Sequence, residues 1–521
     1  MKHDRSILAG FWVLWLWLGA ACAPLAVQAD AQPVPNHWRR LIILHTNDMH
    51  GQVLPLQATW LRDRDPVPDV GGVARLAAYV NKVRAQAEAN GDDVLVLDAG
   101  DWYQGTPEGS VGQGLSFLEI LGQVGYDAMC VGNHEMDHGV AVLEQHLLAA
   151  KLPALLANVS EPSGVLLRGT EPYKIVQRAG LRIALVGLLT TETPRITHPS
   201  ASTLFWAEPA VVLESLIADL EGQVDWILPL THQGYPEDMA LAEQVPGLPL
   251  LIGGHSHTLL PKGDREGETW IVQAGSKVRS VGRIEVWVDP VARTVERIEP
   301  SVVDLLAENV GEARNAKVEE LAAALLERSE ERMAVVVGQI EADLVRGKQP
   351  FQTSSAGNWV TDVMLAMSDA DVAIQNRGGI RANLSAGPLT RRDIFRMLPF
   401  DNTMTTLTLT GQQLLDIMRR RVEGDEPVTL EMSGMQLVLT GEGEARKLLA
   451  LRIQGQPVEP ERSYRLVTNS YLAGGGDGFD EFCHVTERTD GGELHRDLVE
   501  RYLVSNCARI AVLAGNRYRF E

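Results

Sequence analysis

Short apolar runs alternate with amphipathic stretches from Trp38 to about Pro300. Leu41 to Leu44, Val94 to Leu97, Tyr126 to Val131, Ile183 to Gly187, Trp226 to Leu230 and Leu248 to Ile252 are runs of strand length. Between them, Val73 to Ala87, Phe117 to Val124, Val140 to Ala150 and Ala210 to Leu220 carry apolar residues at helical spacing. Nearly continuous apolar strands separated by helices predict an α/β region whose sheets are covered on both faces. Val318 to Arg332, rich in Ala, Leu and Glu, predicts a helix that connects this region to a second, α+β one. There, Ala356 to Met367 is helical, and Ala373 to Gln375, Thr406 to Leu409 and Tyr464 to Thr468 are strands. Thr390 with Asp393, and Thr410 with Gln413, have the spacing of capping boxes. The second of these opens a helix that runs through Arg421 and stops at Gly424.

The polar residues at the strand ends add chemistry to this pattern. Asp48, Asp101, Asn133, His232 and His255 each follow a strand closely. In open α/β sheets ligands bind beyond the carboxyl ends of the strands, so five such ends would carry these side chains to one rim. His50 and His257 stand two residues beyond Asp48 and His255. Hard carboxylate and amide oxygens together with imidazole nitrogens suit divalent transition metals. Seven donors from five loops suit two ions that share one carboxylate, about 3.5 to 4 Å apart in two-metal hydrolases. Singly, each residue is equally a turn or cap residue; jointly, they are a metal centre. His134 and Asp137 lie inside the same polar turn. His45 and Asp98 are expected behind the donors, and His138 on a surface turn.

Composition bounds the partners. The 521 residues carry a net charge of −21. That argues against nucleic-acid polymers, whose affinity comes largely from Lys and Arg neutralising phosphates. It permits small anionic substrates, because bound cations reverse the local field. Lys2 and Arg5, the apolar run Ile7 to Ala21 and the small-residue site Val27-Gln28-Ala29 predict a secretory leader over residues 1–29, with no membrane span left after cleavage. A lipid on Cys22 is the weaker alternative. Of the remaining cysteines, Cys130 is expected as a buried apolar residue, and Cys483 and Cys507 as a candidate disulfide in an oxidising compartment.

Asp48-Met49-His50, Gly100-Asp101, Gly132-Asn133-His134-Glu135, Thr231-His232 and Gly254-His255-Ser256-His257 together resemble the calcineurin-like metallophosphoesterase pattern. With its second domain, the chain resembles the secreted 5′-nucleotidase family, which includes bacterial UDP-sugar hydrolases and 2′,3′-cyclic-nucleotide phosphodiesterases. The resemblance spans about residues 38 to 515. It implies a four-layer α/β/β/α sandwich over residues 38–310, a connecting helix over 311–334 and an α+β substrate-binding domain over 335–521. It implies two divalent ions of unspecified identity (Zn, Mn or Co). One would be held by Asp48, His50, Asp101 and His257, the other by Asp101, Asn133, His232 and His255. It also implies a periplasmic phosphoester hydrolase in which a water or hydroxide bridging the ions attacks phosphorus. His134 and Asp137 match the family's catalytic dyad.

Three stretches of the second region resemble the family's nucleotide-binding motifs. In Asn376-Arg377-Gly378-Gly379-Ile380-Arg381, the resemblance places Asn376 on the base or ribose and Arg381 on the phosphate. In Pro399-Phe400-Asp401-Asn402, Phe400 would stack on one face of the base, and Asn402 completes the motif. In Asn469-Ser470-Tyr471 followed by Gly475-Gly476-Asp477-Gly478, Tyr471 would stack on the other face, and Asp477 would bind ribose hydroxyls. One position departs from the family. Gln352 stands where an arginine is common; the nearby Arg346 and Arg377 are candidate substitutes for it, although neither is at the matching position. Losing a guanidinium removes a bidentate phosphate grip. That keeps two further readings in view: a periplasmic hydrolase of sulfur conjugates, of the thiosulfate-oxidation type, and a non-catalytic surface binding protein.

Overall fold

The computed structural model describes residues 35–400, 402–424, 430–505, 509–510 and 515–521. The leader and Cys507 lie outside the described residues; Cys130 and Cys483 are free thiols.

Two sheets face each other. The seven-stranded sheet runs Thr294–Asp304, Ser280–Asp289, Arg39–Thr46, Asp93–Asp98, Ala128–Cys130, Ala154–Leu155, Thr170–Glu171. The six-stranded sheet runs Asp264–Glu266, Thr269–Val272, Leu250–Gly253, Trp226–His232, Leu181–Leu189, Tyr173–Arg178. Successive side chains of a strand point to opposite faces, and the packing follows that period. Leu41 and Ile43 join Leu95, Leu97, Ile183, Leu185 and Leu228 in the core between the sheets. Ile42 and Leu44 turn outward to the helix Val73–Asn90, and Val186 and Leu188 turn outward to the helices Pro209–Asp219 and Tyr235–Gln244. The layers are therefore α/β/β/α, as expected.

The antiparallel strands Ser280–Asp289 and Thr294–Asp304 continue the first sheet beyond the alternating strand–helix pattern. The helix Ala316–Met333 buries Val318, Ala322 and Leu325 in the first lobe's core. Its far end reaches the second lobe, where Arg391 Nη1 donates to Arg332 O at 2.9 Å.

The second lobe is built on the five-stranded sheet Leu430–Ser433, Val372–Asn376, Ser463–Asn469, Thr403–Thr410, Arg488–Leu494. Separate apolar clusters cover its two faces. Both expected capping boxes are present, at Thr390/Asp393 and Thr410/Gln413. Gly424 ends its helix in an extended conformation rather than the left-handed one usual after a helix.

Arg377 is part of this lobe's framework. Its guanidinium is buried, donating to Glu431 Oε1 at 3.0 Å and to the carbonyls of Gln349 and Gln352 at 2.9 and 2.6 Å. Glu431 also accepts from Ser354 N and Oγ, at 2.8 and 2.9 Å. Arg377 is thereby taken up, and the idea that it replaces the arginine missing at Gln352 fails on geometry. Removing one partner of a buried ion pair leaves an uncompensated charge, so Arg377→Met should cost about 3–5 kcal/mol of stability, read from denaturant unfolding.

Candidate metal centre and its surroundings

The predicted rim exists, and both sheets supply it. Asp48 and His50 follow Arg39–Thr46, Asp101 follows Asp93–Asp98, and Asn133 follows Ala128–Cys130, all on the seven-stranded sheet. His232 ends Trp226–His232, and His255 and His257 follow Leu250–Gly253, on the six-stranded sheet. The donor atoms converge across the gap. His232 Nε2 lies 3.2 Å from both Asp101 Oδ2 and Asn133 Oδ1. His255 Nδ1 is 2.9 Å from Asn133 Oδ1, His257 Nε2 is 3.3 Å from Asp48 Oδ1, and His50 Nε2 is 2.8 Å from His257 Nε2. All seven predicted donors are brought together.

The backbone is bent to do this. Asp48, His50, Asp101, His255 and His257 all have positive φ, between 49° and 76°. Non-glycine residues in that region cost about 1–3 kcal/mol each and persist only where the surroundings over-determine them. Close approach also explains two glycines. A Cβ on Gly132 would stand 2.3 Å from Asp101 Oδ1, and one on Gly254 would stand 2.5 Å from Ala99 O.

The chemistry of the donor set fits divalent cations. Asp48 and Asp101 are buried, and among the described residues their ion-pair partners are imidazoles rather than Lys or Arg. Burial pushes the Asp101 carboxyl up, but the imidazoles of His232, His134 and His50 outweigh it and hold the group well below the usual range. Burial works against the His232 imidazolium, yet Asp101 and Asp48 raise its pKa to about 10. Burial takes His50 and His255 down to about 4. A buried anionic pair thus draws in positive charge, and neutral imidazole lone pairs stand ready beside it. His50 Nδ1 faces Gln104 O at 2.8 Å and His232 Nδ1 faces Ala99 O at 2.6 Å. A carbonyl accepts the proton there, which leaves each Nε2 free for a metal.

Residues behind the donors hold the loops. Asp98 accepts from Thr46 Oγ1, Gly100 N and Trp102 Nε1 at 2.6–2.8 Å, and His45 is buried against Gly282, both as expected. His138 lies in a turn, as expected, but it is half-buried and its ring stacks on Tyr103, with centroids 6.1 Å apart. Three supporting residues had no role assigned from sequence. Glu135 accepts from the backbone N–H groups of Asp101, Trp102 and Gly132 at 2.7–3.0 Å, joining two donor loops. Asn47 donates to Asp48 Oδ2 and Gly275 O, both at 2.6 Å. Gln273 donates to Gly254 O and accepts from Ser256 Oγ and Thr258 N. Asn47 and Gln273 obey the same strand-end rule that found the donors.

His134 sits at the mouth of the cluster with a quarter of its side chain exposed. Its Nδ1 is 2.6 Å from Asp137 Oδ2 and its Nε2 is 3.9 Å from Asp101 Oδ2. Asp137 Oδ1 accepts from Thr197 Oγ1 at 2.8 Å.

In the second lobe, Asn376 Nδ2 and Tyr471 OH donate to the two oxygens of Asp477, at 3.0 and 2.9 Å. Arg381 lies 6.0 Å over the Phe400 ring. Phe400 and Tyr471 are 45% and 42% exposed, which rules out a core role for either ring. Asn402 accepts from Ser470 Oγ at 3.5 Å and gives its carbonyl to His495 N. Gln352 is exposed.

Residues 41–259 match the calcineurin-like phosphoesterase family and residues 336–484 the 5′-nucleotidase C-terminal domain. The chain belongs to the 5′-nucleotidase family of calcineurin-like phosphoesterases. A 5′-nucleotidase of Vibrio cholerae is 27% identical over 94% of this chain and 93% of its own length. The structure of a 5′-nucleotidase precursor from Thermus thermophilus is 28% identical, covers 92% of this chain and 99% of that one, and superposes with a TM-score of 0.68. A sulfate thiohydrolase SoxB from the same species superposes at 0.62 over 92% of this chain and 96% of that one; at 19% identity the likeness is one of fold. The chain is a metal-dependent phosphoester hydrolase, and the family's two divalent ions suit the donor set described above.

Proposed function

We propose that this enzyme hydrolyses the phosphoester of small nucleotides, held by the second lobe and cleaved at the rim of the first. Asp48, His50, Asp101 and His257 would hold one ion, and Asp101, Asn133, His232 and His255 the other. When bound, the ions supply Lewis acidity and an activated water. The observation that carries the reading is the place of His134, a partly exposed imidazole at the mouth of a buried donor cluster, pinned by Asp137. From there its Nε2–H can donate to a phosphoryl or leaving-group oxygen as charge develops. Asp137 fixes the tautomer by accepting at Nδ1.

Recognition falls to the second lobe. Phe400 and Tyr471 offer exposed π-faces for a base, and stacking of this kind tolerates every base. Asp477, which bridges Asn376 and Tyr471, would accept hydrogen bonds from ribose hydroxyls. Arg381 is the phosphate contact, without a second guanidinium at Gln352. Secretion to the periplasm belongs to the same reading, supported by the leader expected over residues 1–29; among the described residues no helix is long and apolar enough to cross a membrane.

The test is turnover with Mn²⁺, Co²⁺ or Zn²⁺ on AMP, UDP-glucose, 2′,3′-cyclic AMP and bis-p-nitrophenyl phosphate. Hydrolysis of one or more is expected. No turnover on any, with two ions bound, overturns the proposal and returns the sulfur-conjugate and binding-protein readings. Tyr471→Ala should raise KM for the preferred nucleotide roughly tenfold at little cost to kcat, since base stacking contributes about 1–3 kcal/mol.

A further inference from the structure

Asp137 holds His134, and the structure shows what holds Asp137. The carboxylate follows the short turn His134–Met136. One oxygen faces His134 Nδ1 and the other accepts from Thr197 Oγ1. Thr197 arrives from sixty residues away, is buried, and has extended backbone directly after the helical turn Thr193–Ile196. Its β-branched side chain is stiff at χ1, so the hydroxyl is a fixed donor. The segment is anchored in turn: Thr193 Oγ1 donates to Thr190 O at 2.8 Å, and Thr190 N donates to His232 O at 3.0 Å. The orientation of His134, on a loop of the first sheet, is thus referenced to the strand of the second sheet that ends in a metal-donor histidine.

We propose that Thr197 is a positioning residue for the reaction, fixing the Asp137 carboxylate and, through it, the direction of His134 Nε2. The proposal rests on the roles given above to His134 and Asp137. Replacing a side chain that orients a functional imidazole typically costs about 10- to 100-fold.

The experiment compares Thr197→Val, Thr197→Ala and Thr197→Ser in the full chain with Mn²⁺, reading kcat and KM on AMP, bound metal and melting temperature. Each is also combined with Asp137→Asn. Thr197→Val is expected to lower kcat about 10- to 100-fold, with KM within twofold and two ions still bound. Thr197→Ser should restore kcat to within about threefold. In the Asp137→Asn background Thr197→Val should cost less than twofold more, because its effect passes through Asp137. Thr197→Ala is taken through the same cycle, so that a folding defect from the added valine methyl does not decide the matter. Wild-type kcat in Thr197→Val and Thr197→Ala overturns the proposal. So do equal losses in Thr197→Ser, multiplicative losses in the double variant, or losses that track metal content or melting temperature. Failure of the underlying reading shows separately, as undiminished turnover in His134→Ala.

Discussion

His134→Ala is expected to lower kcat by about 10²- to 10⁴-fold, the span of a positioned proton donor or acceptor, while bound metal stays near two ions. The metal measurement decides the residue's role. His134 Nε2 lies close enough to Asp101 and His50 to be counted among possible ligands. Its exposure at the mouth and the 2.6 Å contact of its other nitrogen with Asp137 favour a part in the chemistry. Loss of an ion together with activity in His134→Ala would make it a ligand and leave the dyad without a proton donor.

Asp101→Asn should have the broader effect. Asp101 Oδ2 faces His232, His134 and His50, and Oδ1 accepts from His134 N at 3.0 Å. Among the described residues it is the one carboxylate that falls in two of the groups able to hold a metal, and an amide there would remove the negative charge that both ions would share. Metal content is expected to fall from two to one or fewer, with kcat down by at least about 10³-fold, in line with the large share of catalysis that metal ions carry at such sites. The melting temperature of the as-purified protein should fall too, because ligands that bind only the folded state stabilise it by mass action. Full metal occupancy in Asp101→Asn would remove the shared-carboxylate scheme.

The convergence of the candidate donors was legible because their signal is positional: each stands at or just beyond the end of an apolar run, and the strand-end rule needs no knowledge of packing. The alternating strands and helices were legible for the same reason. The hairpin Ser280–Asp289/Thr294–Asp304 was not, since its outer strand is only partly buried and carries Glu296 and Glu299 among its apolar residues. The helix Tyr235–Gln244 escaped notice because only Asp238, Leu241 and Ala242 are buried. Glu135 was invisible as a brace, because its partners are backbone amides and leave no mark on composition. Arg377 and Glu431 are 54 residues apart, and nothing local in either segment announces that they meet.

The division of the donors between two sheets has a consequence for the apolar core that separates them. Asp48, Asp101 and Asn133 ride on one sheet and His232, His255 and His257 on the other, so ions bound by both sets would act as a rivet through the sandwich. The thickness of the layer formed by Leu41, Ile43, Ile183, Leu185 and Leu228 then works as a gauge for the distance between the two halves of the centre. A substitution that thins or thickens that layer would then alter reactivity as well as stability, although these side chains lie in the core between the sheets.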